Sequence, residues 1–138
     1  MRARAAGYSG TPLAAKLGVR PGCRIYVTNA PDDYPQLLHP CPADVAFVTR
    51  LSKTTDIIHV FAEKRADLEA KLRTVKKRMR PDAVIWVSWP KKASRVPTDI
   101  TEETIRQVAH PMGLVDIKVC AVDEKWSGLK LMIRRDLR

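Results

Sequence analysis

Leu17-Gly18-Val19-Arg20-Pro21-Gly22-Cys23-Arg24-Ile25-Tyr26-Val27 runs from a helix end into a strand, which opens onto Asn29-Ala30-Pro31-Asp32-Asp33-Tyr34. A nucleotide-binding α/β domain carries Gly-x-Gly at that point, because backbone amides must approach a phosphate or ribose with no Cβ in the way. Ala30 and Pro31 take away the room and one amide donor. The stretch therefore predicts an α/β architecture and argues against the usual cofactor chemistry.

Outward from that loop the chain alternates strands and helices. Upstream, Thr11-Pro12 before Leu13, Ala14 and Leu17, with Gly18 behind, predicts a short helix with a Thr N-cap, Pro at its first position and Gly at its end. Arg24 to Thr28 is the first strand, and Pro31 to Leu38 a helical turn interrupted by Pro35. Pro40 and Pro42 force an extended connection into a short second strand, Val45 to Thr49. Asp56 to Ala62 is nearly continuous apolar sequence, as expected of a central strand covered on both faces. From Glu63 to Arg80, Leu68, Leu72, Val75 and Met79 recur at spacings of four, three and four, the stripe of an amphipathic helix. Ala83 to Trp89 reads as the next strand, joined to the previous one by a parallel crossover. Asp99 with Glu102 predicts a capping-box start for a helix through Ile105 and Val108 that ends at Pro111 and Gly113. Leu114 to Val122 and Leu129 to Arg135 form a closing antiparallel hairpin around Asp123 to Gly128.

Composition bounds the partners. The 138 residues, 45% apolar and 29% charged, suit one compact domain, here residues 1–138 with an N-terminal arm and short helix over 1–20. The excess of 25 Lys and Arg over 15 Asp and Glu, a net charge of +10, permits attraction to polyanions without selecting one. The three cysteines, Cys23, Cys41 and Cys120, form no Cys-x-x-Cys pair, which predicts a reducing, cytoplasmic setting. No apolar run approaches the roughly 20 residues needed to cross a bilayer, so no membrane association is expected.

The order of elements resembles the S-adenosylmethionine-dependent methyltransferase fold, in which a last strand enters an otherwise parallel sheet antiparallel; the resemblance spans roughly residues 16 to 135. It implies a Rossmann-like, mostly parallel sheet of about six strands. Asp56 to Phe61, the long helix, Arg80-Pro81-Asp82-Ala83-Val84-Ile85-Trp86-Val87 and the terminal hairpin are also similar to a small bacterial family of unknown function. That pattern recurs in Gly7-Tyr8-Ser9-Gly10-Thr11-Pro12-Leu13, in Val87-Ser88-Trp89-Pro90-Lys91-Lys92 and from Val119 to Lys130. Two departures from methyltransferases stand out. The second strand ends in Thr49-Arg50 where the class supplies an acid for ribose hydroxyls, and the short span before the third strand leaves at least one strand-helix unit out.

Four constellations could carry chemistry. Asn29 and Asp32 lie at the strand end where open α/β sheets bind ligands, although Asp32 and Asp33 also suit a structural cap that complements a helix dipole. Lys91, Lys92, Ser94 and Arg95 follow another strand end and form an anion-binding loop in the functional reading, solvated lysines in the plain one. Arg50 and Lys53 are placed to face the same crevice. Lys71, Arg73, Lys76, Lys77, Arg78 and Arg80 offer phosphate-backbone contacts, yet without interleaved aromatic residues a solvated helix face is favoured. His59 reads as a hydrogen-bonded core histidine rather than a general base, because no motif places Ser or Cys beside it; Trp86, Trp89 and Trp126 are potential pocket walls. His39 with Cys41 falls short of a tetrahedral metal site.

These readings combine into a binding or accessory domain rather than an enzyme, taking a small anionic ligand or a protein partner in a crevice near Asn29, Asp32, Arg50, Lys91, Lys92, Ser94 and Arg95. No cofactor is expected. The alternatives are a transferase with an atypical S-adenosylmethionine site and a nonspecific nucleic-acid binder. A crevice filled by Tyr34 or Trp89 would count against the first reading; a cleft open above Asn29 and Asp32 would favour the transferase.

Overall fold

The computed structural model describes residues 10–138; the Gly7-Tyr8-Ser9 part of the family pattern lies outside them. Four helices, α1 (Leu13–Leu17), α2 (Tyr34–Leu37), α3 (Arg65–Arg78) and α4 (Glu102–Ala109), alternate with six strands. The strands are β1 (Arg24–Thr28), β2 (Ala46–Val48), β3 (Ile57–Phe61), β4 (Val84–Pro90), β5 (Leu114–Ala121) and β6 (Trp126–Ile133). They form one sheet in the order β2-β1-β3-β4-β6-β5. β1 to β4 pair in parallel, and β6 runs antiparallel to both of its neighbours. This is the mostly parallel sheet with an inserted antiparallel last strand expected from the sequence. β3 is buried at every residue, as its unbroken apolar run requires of a strand covered on both faces.

Alternation along the strands sends side chains to two apolar layers. Ile58, Val60, Ile85 and Val87 pack under α3 and α4, against Leu68, Leu72, Val75, Met79, Ile105 and Val108. Ile57, Phe61 and Trp86 pack on the other face with α1, Tyr34 and Trp126. The stripe read from the sequence is therefore the buried face of α3, and each fully buried leucine there contributes roughly 2 kcal/mol of transfer free energy. On the opposite layer, the Trp86 indole donates to the Leu17 carbonyl at 3.1 Å, which ties α1 to the sheet.

Several local expectations give way to tertiary contacts. The capping box of α4 is Thr101 with Thr104, not Asp99 with Glu102: each threonine hydroxyl accepts from the other's backbone N–H. The Asp99 carboxylate instead accepts the Arg65 N–H at 2.7 Å, and the Thr98 hydroxyl donates to the Glu63 carbonyl, so the α4 entry loop caps the start of α3. α1 begins at Leu13 with Pro12 in the N-cap position, and Gly18 takes the left-handed C-cap with φ 81°. Asp33 occupies the N-cap of α2 but makes no side-chain capping bond, so the structural cap expected of Asp32 and Asp33 does not form. β6 begins at Trp126 rather than Leu129: Trp126, Ser127 and Gly128 pair with Pro90, Trp89 and Ser88. Gly128 permits this close approach, since a Cβ there would stand 3.2 Å from Val122 and 3.4 Å from Trp86.

Candidate functional site

β1, β3 and β4 end at one edge, where β6 also begins. β1 lies between β2 and β3, so chain connections diverge on its two sides; a crevice opens at such a switch point in α/β sheets. Here it is a cleft of about 330 Å³ lined by Asn29, Phe61, Ala62, Glu63, Lys64, Asp67 and Trp126. Asn29 holds φ 57°, the left-handed conformation usually left to glycine and tolerated by Asn through local hydrogen bonding. The loop has thus kept the glycine-like turn and added a polar side chain at the mouth. Neither residue that could have filled the crevice does so: Tyr34 is buried beneath it, and Trp89 packs in the layer under α3.

Two further recesses adjoin the cleft along α3. Asn29, Phe61, Ala62 and Asp67 also line a neighbouring recess with Ala70, Lys71 and Thr74. Lys71 and Thr74 then line a further pocket of about 150 Å³ with Tyr26, Thr49, Arg50, Leu51, Val75 and Arg78. Asp67, Lys71, Thr74 and Arg78 lie on one helical stripe, so the groove follows α3 for about 16 Å at the helical rise. Its cleft end carries Glu63, Asp67 and Trp126; its far end carries Arg50, Lys71 and Arg78.

The sequence candidates are redistributed by this geometry. Asn29 lines the cleft and Arg50 the far pocket. Asp32 sits in the exposed turn before α2 and does not line the cleft. Lys91, Lys92, Ser94 and Arg95 stand at the same edge beyond β4 and do not line it either. The Ser94 hydroxyl donates to the Lys91 carbonyl at 2.6 Å within a short helical turn. Lys53 reaches the Met79 carbonyl at 2.9 Å. Of the basic run on α3, Lys71 and Arg78 face the groove, whereas Lys76 donates to the Met112 carbonyl and Arg73 pairs with Glu69 at 3.4 Å. Lys77 is exposed and lines none of the three adjoining cavities. Arg80 lies at the opposite edge of the sheet, gripped by Asp56 at 2.8 Å and Asp82 at 2.7 Å. A cavity of about 760 Å³ opens there among Arg20, Asp56, Arg80 and Asp82, but it faces the amino ends of the strands, away from the switch point.

Under the cleft lies a polar cluster that sequence reasoning missed in part. His59 is fully buried, with Nδ1 2.8 Å from the Tyr34 hydroxyl and Nε2 2.7 Å from the Ser88 hydroxyl. Its ring stacks on Phe61 at 4.3 Å, and Phe61 in turn forms part of the cleft wall. Burial pushes the imidazole pKa down to about 3 and pushes the Tyr34 phenol up, so both are held neutral. The serine beside His59 comes from β4, two residues past the position paired with His59, a proximity that no local motif encodes. Glu63 and Asp67 were also missed. Their signal was positional: Glu63 lies in the loop after β3, which flanks the switch point, and Asp67 in the first turn of the helix that follows. Among the three tryptophans only Trp126 lines the cleft.

A second carboxylate cluster is structural. Asp116 on β5 accepts from Arg106 Nε and His110 Nε2, both at 2.9 Å, and the guanidinium, then the imidazole, pull its pKa down to about 2. Among the described residues no three His, Cys, Asp or Glu side chains gather to hold a metal ion, and no helix is long and apolar enough to cross a membrane.

The residues at the switch point do not reproduce a standard S-adenosylmethionine cradle. Glycines are replaced by Ala30 and Pro31 after β1, and Arg50 follows β2 where ribose hydroxyls need an acceptor. Even so, the fold belongs with that class. The chain superposes on a candidate methyltransferase from Thermoplasma acidophilum with TM-score 0.56 at 10% identity, over 91% of this chain and 75% of that one. It matches a SAM-dependent methyltransferase from Aquifex aeolicus with TM-score 0.54 at 14% identity, over 88% and 87%. The B. subtilis M1A22 tRNA methyltransferase TrmK gives TM-score 0.54 at 10% identity, over 95% and 69%. Identities this low show the fold alone. No curated protein matches the sequence, whereas residues 49–135 match the family described as "Protein of unknown function (DUF3052)".

Proposed function

The chain belongs to the DUF3052 family of unknown function, and from its site we propose that it is a binding domain of methyltransferase-like fold, taking a small ligand at the switch point. The observation that carries this reading is the open cleft of about 330 Å³ around Asn29, where side chains rather than a glycine loop meet the ligand. Glu63, Asp67 and Asn29 offer acceptors and a donor for hydroxyl and amine groups, and Trp126 offers an apolar contact for a flat ring. A nucleoside-like ligand satisfies that set. The buried, neutral His59 cluster supports the floor from below without reaching the cleft as a proton carrier.

A second reading, a transferase with an atypical cofactor site, draws on the cleft being open at Asn29, although not at Asp32, and on the carboxylates that line it. Glu63 and Asp67 return carboxylate acceptors to the cleft from the end of β3 instead of β2. One series of measurements separates the two. The protein is titrated with adenosine, S-adenosylmethionine and S-adenosylhomocysteine by thermal shift and calorimetry, since a ligand of the folded state raises stability by mass action. Saturable stabilisation weakened by Glu63→Gln/Asp67→Asn supports the cleft. Incorporation of label from methyl-tritiated S-adenosylmethionine into lysate acceptors would move the assignment to the transferase. No stabilisation at millimolar ligand would remove the cleft reading.

A further inference from the structure

We infer that Arg50, Lys71 and Arg78 form a phosphate subsite at the far end of the groove, which makes the ligand a phosphorylated small molecule; this rests on the cleft reading above. The pocket of about 150 Å³ draws cations from two elements, Arg50 after β2 and Lys71 and Arg78 on α3, and no acidic residue lines it. Among the described residues these three make no ion pair, although Arg73, Arg80, Arg106 and Arg134 all do. No carboxylate neutralises them and they line one concavity, the arrangement that favours a compact dianion, although the negative end of α3 offsets part of the Arg78 charge. Leu51 and Val75 supply an apolar lining and Thr49 a hydroxyl donor, whereas the Thr74 hydroxyl donates to the Ala70 carbonyl at 3.3 Å.

The groove also gives the ligand a direction. Asp67 at one end of the α3 stripe repels a phosphate, and Arg78 at the other end attracts it, so hydroxyl groups lie toward Asn29 and the phosphate toward Arg50. A nucleic-acid track fits less well, because most of the flanking cations are engaged, Lys76 by the Met112 carbonyl, Arg73 by Glu69, Arg80 by Asp56 and Asp82, and Lys77 is exposed outside the groove. What remains is a three-cation pocket of single-phosphate size rather than a continuous basic face.

Calorimetric titration of the full chain with adenosine, adenosine monophosphate and inorganic phosphate tests the subsite. The nucleotide is expected to bind about tenfold or more tighter than the nucleoside, through charge-assisted bonds to two arginines. Arg50→Gln/Arg78→Gln should abolish that advantage, and Lys118→Gln/Arg135→Gln, which lowers net charge equally on exposed positions outside the groove, should leave it intact. An advantage that survives the first pair, or is lost equally in the second, overturns the subsite. Adenosine binding with no gain from phosphate overturns the subsite and leaves the cleft standing. Inorganic phosphate binding that depends on Arg50 and Arg78, without nucleoside binding, keeps the subsite and removes the cleft. Tighter binding of a single-stranded oligonucleotide, with a steep salt slope, would replace a small ligand by nucleic acid. No binding of any probe rejects both.

Discussion

His59 gives the fold a defined acid weakness. The imidazole is completely buried between Tyr34 and Ser88 and held neutral by desolvation, with a pKa near 3, against about 6.5 when the chain is unfolded and hydrated. A depressed folded pKa means that the unfolded state takes up the proton first, so stability is undiminished above pH 6.5 or so and falls as the pH drops toward 3. The loss from this group is about 2 kcal/mol at pH 5, being the 1.5 or so pH units below the unfolded value. That figure is insensitive to the folded pKa provided it lies well under 5, and it is a large share of a typical domain stability of about 5–15 kcal/mol. Urea unfolding at pH 7, 6 and 5 measures it, with His59→Gln as the reference. The variant starts less stable, but its decline between pH 7 and 5 should be shallower by the same ~2 kcal/mol, since carboxylates and the exposed histidines His39 and His110 are common to both proteins. Parallel declines would refute the neutral, buried histidine. Nitrogen chemical shifts of the ring give an independent check: a neutral tautomer at pH 5 is required.

Other consequences are local. Asn29→Gly should leave stability within a few tenths of a kcal/mol, while Asn29→Ala should cost about 1 kcal/mol because its φ of 57° is strained for alanine; thermal unfolding compares them. Thr101→Ala removes the capping box of α4 and should lower stability by about 1 kcal/mol in urea titration, and Glu102→Gln, outside the box, should do less. Asp116, with its pKa pulled down to about 2 by Arg106 and His110, stabilises the fold above its unfolded value near 4. Between about pH 4 and 2 that contribution is lost, and Asp116→Asn should flatten this part of the acid-unfolding curve. Leu72→Ala, in the centre of the α3 stripe, should cost about 2–5 kcal/mol; a smaller loss would mean that α3 packs loosely on the sheet.

Most of the architecture was legible in local pattern, because period determines which face is apolar. The four-three-four spacing of Leu68, Leu72, Val75 and Met79 could serve only a helix packed on one side, and the unbroken Ile57 to Phe61 run only a strand covered on both. The closing hairpin and the missing glycines after β1 were equally local. Boundaries were less so: Trp126 to Gly128 joined β6 instead of a loop, since pairing with Ser88, Trp89 and Pro90 satisfies backbone groups that a loop would leave to water.

The site was decided at longer range. Residues that adjoin in sequence, Lys71 to Arg80, were sent by helical periodicity and chain direction to different places: Lys71 and Arg78 to the groove, Lys76 to a carbonyl beyond α4, Arg80 to two carboxylates at the far edge. Residues far apart, Asn29 with Asp67 and Trp126, or Arg50 with Arg78, were brought together by strand order. Asp99 likewise left its own helix to cap another. Hydrophobic period and backbone preference act over a few residues and are written in the chain directly. Which charges are neutralised, and which are left facing one cavity, depends on distances across the sheet, and these exist only once β1, β3 and α3 have packed.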